Sequence, residues 1–81
     1  MTVRVRFFAS LIDRCDCDRT ELEIPAGTTV DQLWQLLTEQ FPKLSEVQTR
    51  PLVACDQEYA TGERLLDGVE EVAFLPPMSG G

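Results

Sequence analysis

The sequence predicts an α+β domain: a mixed sheet of four to five strands with one main helix across one face. Three observations predict it. Apolar residues alternate at both ends of the chain, a single helical stripe lies between them, and prolines and glycines punctuate the joins. Period-two alternation marks half-buried strands, and apolar residues at i, i+3, i+4 and i+7 mark one helix face.

The first strand is read over residues 2–8. Val3, Val5 and Phe7 point one way, and Arg4, Arg6 and Phe8 the other. Residues 9–19 carry mixed charges and read as a solvated connection. Thr20 to Pro25 alternates again, with Leu22 and Ile24 against Glu21 and Glu23, and Pro25 ends it. The two strands pair as a hairpin with a long loop. Thr29 and Gln32 then form a capping box, each side chain satisfying a backbone N–H of the other. Val30, Leu33, Trp34, Leu37 and Phe41 make one apolar stripe, flanked by Leu36 and stopped at Phe41-Pro42. This stripe reads as core. Residues 43–51 read as a polar loop, Leu52–Cys55 as a buried strand, Asp56-Gln57-Glu58 as a turn before a short strand at Tyr59-Ala60, and Gly68 as a left-handed turn. Residues 69–75 form the last strand, with Val72 and Phe74 on one face and Ala73 and Leu75 on the other.

The order β-β-α-β-β is that of the β-grasp, or ubiquitin-like, arrangement. If the first and last strands are neighbours at its centre, they run parallel, with the hairpin and helix as crossover. The face away from the helix then carries Arg4, Arg6, Phe8, Ala73 and Leu75, with Phe8 and Leu75 at the ends nearest the C-terminal tail. Exposed apolar groups there suggest a docking patch.

The organising stretch is Pro76-Pro77-Met78-Ser79-Gly80-Gly81. Two glycines add nothing to a core and predict a flexible tail beyond a domain of residues 1–77. With no Cβ, Gly80 and Gly81 can thread a slot too narrow for other residues. The prolines give a stiff exit, and from Pro77 the tail of residues 78–81 reaches about 13–14 Å at ~3.3–3.6 Å per residue. Such a tail can carry the carboxylate of Gly81 into the site of another protein.

Composition narrows the partners. The chain has 81 residues, 43% hydrophobic, which suffices for one small domain with a core. Fourteen acidic and seven basic residues give a net charge of −7, which argues against nucleic acid and favours a partner with a basic face. No apolar run reaches the ~20 residues of a membrane span. The alternating N-terminus is unlike a signal peptide, so a cytoplasmic protein is expected. The chain has no histidine, the commonest general base and metal ligand. Cys15, Cys17 and Cys55 are odd in number, and Cys15-Asp16-Cys17 is spaced more tightly than a usual zinc motif. Ordinary reduced thiols and no bound metal are expected.

Arg6-Phe7-Phe8-Ala9, the Gly27-Thr28-Thr29-Val30 helix entry, and Leu66-Asp67-Gly68 with the run Val72 to Gly81 together resemble the MoaD/ThiS sulfur carriers. The resemblance spans essentially the whole chain. The Phe-Phe-Ala start with the Pro-Pro-x-x-Gly-Gly end is more similar to the small subunit of molybdopterin synthase than to the thiamine carrier. One departure is Asp56, where such carriers often have Asn: a carboxylate cannot donate the hydrogen bond an amide can, which places the local turn in question.

The resemblance implies a mechanism. An E1-like enzyme uses ATP to adenylate Gly81, a persulfide donor supplies sulfur, and the tail becomes a thiocarboxylate. The large synthase subunit, expected in a heterotetramer, accepts the tail, and sulfur passes to a pterin precursor to form the dithiolene that binds molybdenum. In this scheme Gly81 carries the sulfur, Gly80 keeps the approach narrow, and Met78 and Ser79 set its reach. Phe8, Leu75 and Tyr59 dock partners. The chain binds no cofactor and does not catalyse alone. Carriers for thiamine or cysteine synthesis, a ubiquitin-like modifier and a plain interaction domain remain as alternatives.

Overall fold

The computed structural model describes residues 1–47 and 50–76. The predicted boundary after residue 77, and the tail residues Met78, Ser79, Gly80 and Gly81, lie outside the described residues.

Alternation along β1 (Thr2–Phe7) buries Val3, Val5 and Phe7 and leaves Thr2 and Arg4 exposed. β1 pairs antiparallel with β2 (Arg19–Glu23), in the register Val3 to Leu22 and Arg6 to Arg19. It also pairs parallel with β5 (Glu71–Leu75), in the register Arg4 to Glu71 and Phe7 to Phe74. β5 pairs antiparallel with β3 (Leu52–Cys55), which pairs with β4 (Glu58–Ala60). The strand order is β2-β1-β5-β3-β4, so the expected parallel pair lies at the centre of a five-stranded mixed sheet. This is the β-grasp arrangement.

The main helix, α2 (Val30–Gln40), starts at Thr29 with the predicted capping box complete: Gln32 N–H donates to Thr29 Oγ1 at 3.2 Å and Thr29 N–H to Gln32 Oε1 at 2.9 Å. Val30, Leu33 and Leu37 are buried, and Trp34 is half-buried with its ring 5.1 Å from that of Phe74. Phe7 meets Phe74 at 6.4 Å and the half-buried Phe41 edge-on at 6.0 Å. These aromatic contacts seat the helix against the two central strands, and offset or edge-on geometry is the favoured one.

Two expectations are corrected. Residues 9–19 are not a solvated connection: Ser10–Cys15 forms a helix, α1, whose Leu11 and Cys15 are buried with Ile12 packed beside them. Six residues are too few for a helix to stand alone, so packing of the i, i+4 pair holds it. Residues 43–51 are not simply a polar loop either. Pro42–Glu46 is a 3₁₀ turn that buries Leu44. Arg14 of α1 donates to the Lys43 carbonyl at 3.2 Å and ties the two segments together.

The substitution at Asp56 leaves its turn intact. Asp56 and Gln57 both take positive φ, 48° and 72°, the sign pattern of a type I′ hairpin turn. Instead of donating, the carboxylate accepts: Glu70 N–H lies 3.1 Å and Glu71 N–H 3.0 Å from Asp56 Oδ1. Asp56 N–H returns a bond to the Glu71 carbonyl at 2.8 Å. The side chain thus clamps the β3–β4 turn to the start of β5. Asp56→Ala should lower stability by about 1–3 kcal/mol in urea unfolding, through lost acceptors and a strained positive φ. Asp56→Asn, which keeps one acceptor oxygen and tolerates positive φ, should lose less.

Candidate docking face at the tail end of the sheet

The outer face of the sheet is built from the residues that alternate with the core. Register places Arg19, Arg6, Ala73, Ala54 and Tyr59 in one row that crosses all five strands. Beside it, toward the exit of the chain after β5, lie Phe8, Leu75 and Leu52. Leu75 and Leu52 are direct cross-strand partners. Phe8 directly follows the Phe7–Phe74 pair, and its N–H donates to the Phe74 carbonyl at 3.2 Å. The structure therefore brings Phe8 and Leu75 together on this face, both half-buried, at the end from which Pro76 leaves the sheet. Tyr59 is on the same face, 76% exposed, on edge strand β4.

Leu52 was missed by sequence reasoning. Leu52–Cys55 reads as a strand buried on both sides, but only Val53 and Cys55 are buried, while Leu52 is 41% exposed. The alternation was masked because all four residues are apolar. Its one signal is its place opposite Leu75, which no single-strand pattern displays. Together Phe8, Leu75, Leu52 and Tyr59, with the small Ala73 and Ala54 between them, make a low apolar surface. Apolar patches of this kind on small domains mark sites of protein contact.

The thiols do not belong to this face. Cys15 and Cys55 are buried and Cys17 is half-buried, all three unpaired. Burial pushes the Cys15 thiol up from 9.0 to about 11, with Cys17 adding to the rise. Burial also raises Cys55, where Arg64 opposes and Asp56 adds, and burial with Asp18 and Asp16 raises Cys17. Since the thiolate is the nucleophile and metal ligand, these groups are held in their unreactive form near neutral pH. Among the described residues no three His, Cys, Asp or Glu side chains are grouped to hold a metal ion, and no helix is long and apolar enough to cross a membrane.

Comparison with known proteins gives the family and the fold. The ThiS family profile matches residues 5–81. The chain belongs to the ThiS family. A relative from Caenorhabditis briggsae, called molybdopterin synthase sulfur carrier subunit, is 35% identical over 100% of this chain and 99% of its own. Among solved structures, SAMP1 from Haloferax volcanii superposes with a TM-score of 0.85 at 22% identity, covering all of both chains. A chain in the complex of subunits 1 and 2 of molybdopterin-converting factor from Helicobacter pylori superposes at 0.66 and 22% identity, again over all of both chains. At these identities the structural likenesses establish the shared β-grasp fold.

The buried thiols give a check on the packing of the core. At pH 8, iodoacetamide should leave Cys15 and Cys55 unmodified in the folded protein and label all three cysteines in urea, read by intact mass. Cys15 has its pKa raised on folding, so its contribution to stability is complete below 9.0 and is lost as pH rises through about 11. The urea midpoint should fall across that window, and Cys15→Ala should flatten the fall.

Proposed function

We propose that this chain is the sulfur carrier subunit of a molybdopterin synthase. The observation that carries the reading is the end-to-end similarity to a relative of that name, 35% identical over 100% of this chain. The position of the Gly80-Gly81 tail supports it, just beyond the strand that holds Leu75.

The carboxyl of Gly81 is ionised at neutral pH and resists nucleophilic attack. An E1-like activating enzyme bound to the docking face adenylates it with ATP, and pyrophosphate leaves. The outer sulfur of a persulfide donor then displaces AMP to give an acyl disulfide with Gly81. A thiol of the donor system attacks the donor's own sulfur, forming a disulfide and releasing the Gly81 thiocarboxylate. The large synthase subunit next binds the same face and receives the tail, and sulfur passes to a pterin precursor to build the dithiolene. Gly81 returns to a carboxylate. Gly80 allows a narrow channel, Met78 and Ser79 set the reach, and Phe8, Leu75, Leu52 and Tyr59 hold the domain against each partner. The sequence offers neither a histidine base nor a nucleotide-binding loop, so the catalytic groups and the ATP site belong to the partners. Two carriers on a dimeric large subunit make a heterotetramer. A cytoplasmic setting suits three unpaired thiols.

Incubating the protein with the activating enzyme of its own cell, ATP and a sulfur donor should raise its intact mass by the exchange of one oxygen for sulfur. Deleting Gly81 should abolish that gain and molybdoenzyme activity while leaving the circular dichroism unchanged. No gain with an active enzyme, together with isopeptide adducts on cellular lysines, would favour a protein modifier instead. Phe8→Asp and Leu52→Asp should each weaken binding to the large subunit by about tenfold or more with the fold retained.

A further inference from the structure

The outer face carries a feature that its apolar row does not explain. Arg6 on β1 and Arg19 on β2 are direct cross-strand partners. Like charges at such positions destabilise a sheet, whereas opposite charges stabilise it. One step along the strands the same sheet is arranged the favourable way. Arg4 stands between Glu21 on β2 and Glu71 on β5, and its guanidinium lies 3.9 Å from Glu70.

Arg6 has no such arrangement. Its other cross-strand neighbour is Ala73. Among the described residues it makes no ion pair and no side-chain hydrogen bond, and its guanidinium instead sits 4.9 Å from the centre of the Phe8 ring. Among the described residues Arg19 pairs with its chain neighbour Asp18 alone, at 3.7 Å, and its side chain is 72% exposed. A shallow depression lies between these side chains, lined by Arg4, Arg6, Arg19, Thr20, Glu21 and Glu71. In a chain with twice as many acidic as basic residues, two arginines are thus set against each other beside the apolar row.

We infer that Arg6 and Arg19 form a cationic corner of the docking face that receives an Asp or Glu side chain of the large synthase subunit. This deepens the carrier reading and rests on it. A carboxylate placed between two guanidinium groups gains from both and removes their mutual repulsion, and the planar fork of arginine suits it. Phe8 joins the corner to the apolar row, since it lies under Arg6 and beside Leu75. It also holds Arg6 in place, so less side-chain freedom is lost on binding. The chain's net charge of −7 disfavours a polyanion as the occupant, whereas a single protein carboxylate brings little long-range repulsion.

The test measures binding of the full chain to purified large subunit by calorimetry, at low and high salt, with thermal unfolding in parallel. The doubly substituted R6Q/R19Q protein should bind about tenfold more weakly at low salt, with the difference narrowing at high salt. Its melting temperature should equal or exceed that of the wild type, because the like-charge pair is gone. Arg14→Gln, at the α1 contact with Lys43 and Glu46, should bind as the wild type does. Affinity of R6Q/R19Q within about twofold of wild type, with Phe8→Asp still impaired, would overturn the corner and leave the carrier reading standing. A lowered melting temperature with the lost affinity would make the arginines structural and also overturn it. Absence of wild-type binding would remove both readings together.

Discussion

Parallel pairing of β1 with β5 is the constraint from which the rest of the molecule follows. Parallel neighbours cannot be joined by a tight turn, so the hairpin, the helix and both remaining strands must be accommodated in the connection between them. The register from Arg4–Glu71 to Phe7–Phe74 buries Val5, Phe7, Val72 and Phe74 in one block, none more than 1% exposed, and this block is the seat for α2. The same register brings the C-terminal ends of both strands to one end of the sheet. Phe8 and Leu75 meet there for that reason, and the chain leaves beside them. A slip of one residue would turn Phe7 and Phe74 outward and bring Arg6 and Ala73 into the core, so the position of the docking face is specified by the dry side of the sheet.

Much of this was legible in the sequence, and the exceptions have physical causes. The outer strands and α2 declare themselves because polar and apolar residues alternate cleanly at two or at 3.6 residues, and the capping box fixes where α2 begins. α1 is hidden because its buried pair, Leu11 and Cys15, is set among Asp13, Arg14 and Asp16 in a segment too short to show a period. Its entry also uses Ala9 at a φ of 53°, a conformation no alanine advertises. Leu44 is a single buried residue in a 3₁₀ turn and has no pattern at all. Of the outer-face positions, Phe8 and Leu75 were legible from the alternation of the first and last strands, and Tyr59 entered through the family resemblance. Leu52 was not, because its exposure depends on which strand lies beside it.

Asp56 holds its turn as a hydrogen-bond acceptor, where the resemblance had suggested a need for a donor. The turn needs positive φ at two successive residues and a cross-link to the start of β5. An amide could offer a donor there, but the available partners are the N–H groups of Glu70 and Glu71, and for those a carboxylate is a sufficient acceptor. The fold therefore asks for an oxygen at this position and for a residue that tolerates the left-handed region, and Asp meets both requirements.

The two faces of the sheet obey different rules. On the inner face packing is regular: aromatic rings stack, and among the described residues no buried side-chain polar atom lacks a hydrogen-bond partner. On the outer face preferences are set against stability, with Leu52 and Tyr59 in solvent and Arg6 opposite Arg19. Concentrated departures of this kind belong to surfaces that act on something else. Net charge gives a different kind of information. Its field steers the approach of a partner within about a Debye length, ~8 Å at physiological salt, and favours one with a basic approach surface. Once the surfaces touch, individual side chains decide the fit. A cationic corner within an acidic domain is therefore consistent with both: the overall charge brings the partner close, and the two arginines set where one of its carboxylates comes to rest.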